Sequence, residues 1–257
     1  MDVLKNFGSI IDKQTLGVTV LAMASTYLCL KIGLVIDLPL ELVGIAIVFP
    51  IVFSISSAFQ RRETALAEFA ELKANLTAMF YAHRDWPDLV REDGAPEIRQ
   101  ITVELFRCVQ DCMKQHSDEE VARAYTLFSR ISESHERLSG SGAAGTDLAR
   151  LTSQYLNRAM MNFEKMRNIA MYRTPMSLRS YTQVFLNSFP ILYGPYFAYV
   201  SENSYLVVGF LVATLYSLVL VGLDNIQDAL ENPYDGIGVD DVHLDIADSY
   251  RSLTEHR

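Results

Sequence analysis

The stretch YLVVGFLVATLYSLVLVGL, from Tyr205 to Leu223, contains no charged residue. A membrane core of roughly 30 Å is crossed by about 20 apolar residues in a helix, and this run comes close to that length. A second uncharged run, from Thr182 to Val200, lies just before it and is interrupted by Pro190 and Pro195. Prolines in a membrane helix usually mark a kink against neighbouring helices or a water-filled path. We therefore expect a pair of membrane spans here, the first of them kinked.

A similar pair of apolar runs lies near the N-terminus. Leu16 to Ile36 contains one charged residue, Lys31, and Leu38 to Phe59 contains one, Glu41. Both charges lie toward the turn that joins the runs, where they can reach the membrane interface. The second run follows the first almost at once, and the pattern of a signal peptide is missing, so we expect no cleaved leader. The predicted fold class is an all-α membrane protein with four transmembrane helices per subunit and a helical cytoplasmic domain.

Basic residues gather before the first expected span, after the second and before the third, whereas the short connectors at residues 37–41 and 201–204 carry no Lys or Arg apart from the nearby Lys31. The clustered residues are Lys5, Lys13, Arg61, Arg62, Arg167, Arg173 and Arg179. By the positive-inside rule, both termini and the whole middle segment face the cytoplasm. We expect a multi-pass protein of the cell membrane, with an organellar membrane as the alternative.

The composition divides the chain between membrane and water. Of the 257 residues 50% are hydrophobic, yet the formal net charge is −9. Eight carboxylates and no Lys or Arg lie between Asp224 and Asp248, which argues against a nucleic-acid partner. The three cysteines, Cys29, Cys108 and Cys112, lack the further ligands of a zinc site, so we expect reduced thiols and no metal centre.

The middle of the chain has the pattern of a helical domain. Arg61 to Asn75, RRETALAEFAELKAN, is rich in helix formers and should continue the second span as one helix. His83 to Pro96 has turn chemistry and predicts a break. Helical patterns resume from Glu97 to Gln115 and again from Ser117. The run SGSGAAG, Ser139 to Gly145, predicts a flexible connector.

A long helix should follow the connector, because one helical face collects apolar residues and a single asparagine. That face consists of Leu148, Leu151, Tyr155, Ala159, Asn162, Phe163 and Met166. Helix packing is its expected role. The sequence contains no Ser/His/Asp set, paired-carboxylate cleft marker or phosphate-binding glycine loop, so we expect no enzyme activity.

The expected domain organisation has four parts. Residues 1–60 hold transmembrane helices 1 and 2, and residues 61–180 form a cytoplasmic helical region. Residues 181–224 hold transmembrane helices 3 and 4, and residues 225–257 form an acidic cytoplasmic tail.

One face of the second span carries Ile45, Phe49 and Phe53, spaced by four residues so that they stack along the helix. We call these three residues the neck stripe. Such an apolar stripe can pack against another helix or lipid, or it can line a narrow pore that gates by dewetting. From the residues alone, packing is the favoured interpretation.

Three segments resemble the bestrophin channel family. GIAIVFPIVF, Gly44 to Phe53, is similar to its second span, and MRNIAMYRTPMSLRSYTQVF, Met166 to Phe185, is similar to its approach to the third, with Thr174, Pro175 and Tyr181 in matching places. GLDNIQDALENPYDGIGVDDVHLD, Gly222 to Asp245, resembles the signature after its last span. The last segment is the most specific, with Asn232, Pro233, Tyr234, Leu244 and Asp245 in the family pattern.

The resemblance implies a homopentamer with one central pore, and it assigns the hydrophobic neck of that pore to Ile45, Phe49 and Phe53. Five copies would form stacked apolar rings, and the positive edges of the phenylalanine rings would favour an anion. The implied function is passage of small anions, chloride and also bicarbonate, across a lipid membrane, with no cofactor required.

Two departures from the family pattern affect its other sites. The usual Arg-aromatic-aromatic-Glu-Ala-Arg run after the second span is here RRETAL, Arg61 to Leu66. The unbroken acidic run that clasps calcium in animal members is here split by GIGV. The residues Asp235, Asp240, Asp241 and Asp245 could still supply oxygen ligands, but a solvated tail that contacts a neighbouring subunit is the favoured interpretation.

Two other functions remain open. Some microbial members of the family pass cations, and an acidic tail at the exit of a pore would attract them. From a different class, the chain could be a non-conducting membrane sensor or scaffold whose helical cytoplasmic block binds a partner. The channel hypothesis differs from the scaffold hypothesis in requiring ion flux and an axial pore.

Overall fold

A computed structural model describes residues 12–86, 94–139, 142–172, 176–238 and 240–255. The helices in this part of the chain are α1 (Lys13–Ile32), α2 (Leu40–Asp85), α3 (Gly94–Gln115), α4 (Asp118–Ser139), α5 (Ala143–Met171), α6 (Met176–Leu192), α7 (Gly194–Asn203), α8 (Leu206–Glu231) and α9 (Ala247–Glu255). No strand occurs among the described residues, as predicted for an all-α protein. Four residues named above lie outside the described part of the chain: Lys5, Arg173, Thr174 and Pro175.

The chain divides into two compact units. The first unit consists of Met1–Gln60 and Thr174–Glu231, and the second of Arg61–Arg173 and Asn232–Arg257. Helix α2 belongs to both, because its 46 residues run without a break past Gln60. The continuation of the second apolar run into the helix beyond Arg61 is therefore confirmed.

In the first unit, α1 packs against α6, α7 and α8. Helix α1 begins at a capping box, in which the Asp12 carboxylate accepts a hydrogen bond from the Thr15 backbone N–H at 2.7 Å. It ends at Gly33, whose φ of 71° lies in the left-handed region that glycine adopts without strain. The buried core is rich in aromatic rings, including Phe189 and Phe197.

The two prolines of the third apolar run mark a break between helices. Pro190 lies in the last turn of α6, which ends at Leu192, and Pro195 lies in the first turn of α7. Proline is tolerated at the start of a helix, where its missing N–H has no partner to lose. The expected kink is thus a separation into two consecutive helices at Tyr193.

Two of the described helices, Lys13–Ile32 and Leu206–Glu231, are long and apolar enough to cross a membrane by length and composition. Both expose large apolar side chains, such as Leu16 and Val20 on α1 and Leu211 and Leu215 on α8. Each is therefore apolar on its exposed face as well as its packed face, as a lipid-facing helix is.

The second unit is built on amphipathic helices. Leu76 of α2, Leu105 of α3, Phe128 of α4 and Phe163 of α5 are almost fully buried in one cluster. Burial of each such side chain contributes about 1.5–3 kcal/mol before entropy losses. Helix α9 joins this cluster through Tyr250, whose ring centroid lies 5.0 Å from that of Phe106.

Two expected helix boundaries were wrong. The break predicted from His83 to Pro96 was wrong at both ends, because α2 continues to Asp85 and α3 begins at Gly94; residues 87–93 lie outside the described part of the chain. Pro96 falls in the first turn of α3, where proline is tolerated. The connector predicted through Gly145 ends earlier, because α5 begins at Ala143. Two consecutive alanines, the strongest helix formers, outweigh the glycines that flank them.

Candidate functional site

The neck stripe lies on the part of α2 that belongs to the first unit. Ile45, Phe49 and Phe53 are 63%, 60% and 61% exposed in the single chain. The rings of Phe49 and Phe53 have centroids 5.1 Å apart and meet edge to face at 64°. The two phenylalanine rings of the stripe therefore form one apolar surface rather than two isolated side chains.

The opposite face of the same helical segment is buried. Ile51, Ser54 and Ala58 are each 1% exposed, and Ile51 packs in the core of the first unit. With about 100° between successive residues of a helix, this buried face points away from the stripe. The core thus fixes the rotation of α2 about its axis and sets the direction in which Phe49 and Phe53 point.

Pro50 lies inside this segment of α2. Proline has no N–H, so the carbonyl four residues earlier loses its usual helical partner. The helix nevertheless continues on both sides of it.

The acidic tail residues lie in the second unit, between the end of α8 and the start of α9. Asp235 accepts hydrogen bonds from the Asn232 side chain at 3.0 Å and from the Ile237 N–H at 2.9 Å. Asp241 accepts one from the Gly238 N–H at 3.3 Å. The side chains of Asp240 and Asp245 are exposed. The four carboxylates are thus divided between a turn and the surface.

The side chains of Asp235 and Asp241 interact with each other. Burial, followed by the hydrogen bond and the negative charge of Asp235, raises the pKa of Asp241. Within the described residues there is no group of three or more His, Cys, Asp or Glu placed to hold a metal ion. Two carboxylates already committed to turn hydrogen bonds do not fit the roughly six to eight oxygen ligands that calcium takes.

Arg62 and Tyr234 hold the tail to α2, and sequence reasoning did not identify these contacts. The Arg62 Nε–H donates to the Asp240 backbone carbonyl at 2.9 Å. The Tyr234 hydroxyl donates to the Ala65 carbonyl at 3.3 Å, and its ring is buried. Burial raises the pKa of Tyr234, so the phenol stays protonated as a donor. One hint of these contacts was present in the sequence. Arg62 and Ala65 both belong to the RRETAL segment, which departs from the bestrophin pattern.

A buried polar cluster joins α2 to α5 in the second unit. The Asn162 side-chain amide donates to Glu68 at 2.7 Å and to Glu71 at 2.9 Å, and Lys165 pairs with Glu68 at 2.9 Å. Asn162 and Glu68 are only 2% and 9% exposed. The signal in the sequence was an asparagine on an otherwise apolar helix face, to which the sequence analysis assigned no contact.

Comparison with protein-family profiles and with curated proteins gave no match. Solved structures do match. The crystal structure of a bacterial bestrophin homologue from Klebsiella pneumoniae has a TM-score of 0.78 at 15% identity, covering 95% of this chain and 98% of that one. A single-residue variant of that homologue gives 0.79 at 15% identity, covering 94% and 96%. A membrane protein gives 0.79 at 14% identity, covering 95% and 98%.

At these identities the agreement concerns the path of the backbone rather than the side chains that line a site. It extends over nearly the whole of each chain, so it includes both compact units and helix α2, which belongs to both. The chain has a bestrophin-like fold.

Proposed function

We propose that this protein is a membrane channel that passes small anions, chloride foremost and bicarbonate among them, through a central pore lined by the neck stripe. The observation that carries the proposal is the exposure of Ile45, Phe49 and Phe53 on a helix rotated so that its other face is buried. The similarity to bestrophin homologues over 95% of the chain supports it at the level of fold.

A pore needs more than one copy of this chain. A single α2 presents one stripe, and three large side chains that are 60–63% exposed need a partner or a lipid to cover them. We propose a homopentamer in which each copy turns its stripe toward one axis, forming three stacked apolar rings. Such rings hold back ions when they are narrow and dry, and they conduct when they are wetted.

The preference for anions rests on the aromatic rings. The edge of an aromatic ring carries positive partial charge, and two of the three proposed rings are built from phenylalanine. Exposed carboxylates of the tail, at Asp240 and Asp245, favour the alternative of a cation-conducting pore, since negative charge near an exit attracts cations. A comparison of chloride with sodium distinguishes the two.

Ion flux in liposomes that contain the purified protein tests the proposal. We expect flux down a chloride gradient, little flux down a sodium gradient, and a several-fold faster chloride flux for Phe49→Ala, because a smaller side chain widens the neck. Sodium flux without chloride flux would replace the anion channel with the cation channel. Absence of both chloride flux and sodium flux, in the unaltered protein and in Phe49→Ala, would contradict the channel and favour a non-conducting scaffold.

Phe185→Ala is the matched control. Phe185 lies on α6 and is 41% exposed, and its ring centroid lies 4.4 Å from that of Tyr181, four residues earlier, with the ring planes inclined by 43°. The substitution therefore removes the same ring from another exposed aromatic pair. We expect the chloride flux of Phe185→Ala to equal that of the unaltered protein. An increase as large as that of Phe49→Ala would show that the neck stripe does not control the flux.

A further inference from the structure

Two buried histidines lie face to face in the second unit. His83 is in the last turn of α2, and His135 is in the last turns of α4. Their side chains are 3% and 4% exposed, and the rings are stacked with centroids 5.7 Å apart and planes inclined by 30°. The pair lies where the ends of two helices meet the beginning of α5, and neither histidine has a role in the proposed pore.

Both ring nitrogens of His83 face hydrogen-bond acceptors. Nδ1 lies 2.8 Å from the Met79 carbonyl, so it carries the proton in the neutral ring. Nε2 lies 3.4 Å from the Ser134 hydroxyl oxygen, but that hydroxyl donates its proton to the Ile131 carbonyl at 2.6 Å. A second proton on His83 would therefore find an acceptor already in place.

His135 has the opposite environment. Its Nδ1 lies 3.3 Å from the Ser153 hydroxyl, and its Nε2 is buried without a hydrogen-bond partner in the described structure. The charged ring carries a proton on each nitrogen, so the Nε2–H of a charged His135 would be a buried donor without an acceptor, which is costly. Burial, and then the neighbouring His83, lower the pKa of His135 to about 4. Burial is also the largest cause that lowers the pKa of His83.

The surrounding charges offset one another. Glu97 on α3 favours the charged form of His83, and Arg137 on α4 opposes it. These two residues are paired with each other at 2.9 Å. Arg84 and Asp85 on α2 are also paired, at 2.6 Å. From α5, the Ser153 hydroxyl reaches His135, while Leu148 and Ala149 pack against Ala82 of α2.

We propose that the His83–His135 pair is a proton-sensing site, neutral at neutral pH, that takes up a single proton on acidification and thereby loosens the packing of α2, α4 and α5 at this point. Two cations cannot share stacked rings at this separation in a buried site, so the pair titrates as a unit. The proposal concerns the second unit alone and does not depend on conduction.

The direction of the pH effect follows from the lowered pKa values. A histidine that titrates near 6.5 when unfolded and near 4 when folded stabilises the fold fully above pH 6.5, and this stabilisation is lost as the pH falls toward 4. Between pH 7.5 and pH 5, the stabilisation lost from His135 alone corresponds to about a 30-fold shift of the folding equilibrium toward the unfolded state.

The test compares thermal unfolding at pH 7.5 and pH 5 in one detergent for the unaltered protein, His135→Phe and the control His243→Gln. Phenylalanine keeps the stacking and cannot take a proton, and His243 is exposed. We expect acid to lower the melting temperature of the unaltered protein and of His243→Gln by several degrees more than that of His135→Phe. Equal losses in all three proteins would overturn the proposal.

NMR titration of the histidine rings in the unaltered protein provides a second test, which applies even if His135→Phe does not fold. We expect the His83 ring to titrate below pH 6.5, because its second proton has an acceptor, and the His135 ring to stay neutral to at least pH 5. Independent titration of both rings near pH 6.5, or titration of His135 before His83, would overturn the proposal. Neither measurement uses ion flux, so failure here is distinct from failure of the channel function.

Discussion

At the scale of single residues, Asn162 shows how a helical pattern can place a residue correctly without revealing its contacts. Its spacing with Ala159, Phe163 and Met166 predicted a buried position on α5, and it is 2% exposed. The pattern could not predict that its amide donates to both Glu68 and Glu71, which lie more than 90 residues earlier in the chain. Such contacts depend on how α2 and α5 pack, and no local signal carries that information.

Replacement of Asn162 should destabilise the second unit. Asn162→Ala removes both N–H donors from between two carboxylates, one of them largely buried, and leaves the carboxylates facing each other. We expect a loss of about 1–3 kcal/mol in the free energy of unfolding, measured by denaturation in detergent. Asn157→Ala on the exposed side of the same helix is the control and should change stability little. Equal effects of the two substitutions would show that the cluster contributes nothing.

The neck stripe belongs to the same scale. Helical spacing alone predicted that Ile45, Phe49 and Phe53 share a face, and the structure places all three on the exposed side of α2. That the stripe lines a pore stays a prediction, because one chain does not show what covers the face. Exposure in a single copy is equally compatible with lipid, and flux measurements with Phe49→Ala separate the two.

At the scale of helices, the sequence was most informative where a pattern is long. Apart from Tyr205, which directly precedes the helix, the uncharged run from Tyr205 to Leu223 lies within α8, and the helix formers after Arg61 lie within α2. The errors fall at helix ends, as at Gly94 and Ala143, where single residues compete over one turn. Helix ends are set by local contacts that contribute about 1 kcal/mol, which tertiary packing readily outweighs.

The close approach of α7 to α8 depends on Gly209. A Cβ atom on Gly209 would overlap the Phe197 carbonyl oxygen and the Ser201 hydroxyl of α7, whereas one on Gly17 of α1 would meet no atom within 4 Å. We expect Gly209→Ala to destabilise the protein by about 1–3 kcal/mol. Gly17→Ala should be neutral or stabilise by about 0.5–1 kcal/mol.

Melting temperatures of the two alanine variants, in the same detergent as the unaltered protein, check this prediction. The pair is matched because both substitutions add one methyl group to an apolar helix of the first unit. A Gly209→Ala variant as stable as Gly17→Ala would mean that α7 and α8 are not held as close as described.

At the scale of the whole molecule, the order of three motifs along the chain indicated the fold more strongly than any one motif did. Three separate segments, from Gly44, Met166 and Gly222, pointed to one fold, and the structure matches bestrophin homologues over 94–95% of its length at 15% identity. Assembly could not be derived in this way. A subunit interface needs the geometry of several copies, and the sequence supplies one apolar stripe without its partner.

Native mass spectrometry of the purified protein released from detergent tests directly whether several copies assemble around one pore. We expect a complex of five times the 29.0 kDa mass of the chain. A monomer or a dimer as the largest species would contradict it, because the neck stripes of Ile45, Phe49 and Phe53 could then not close into rings around an axis.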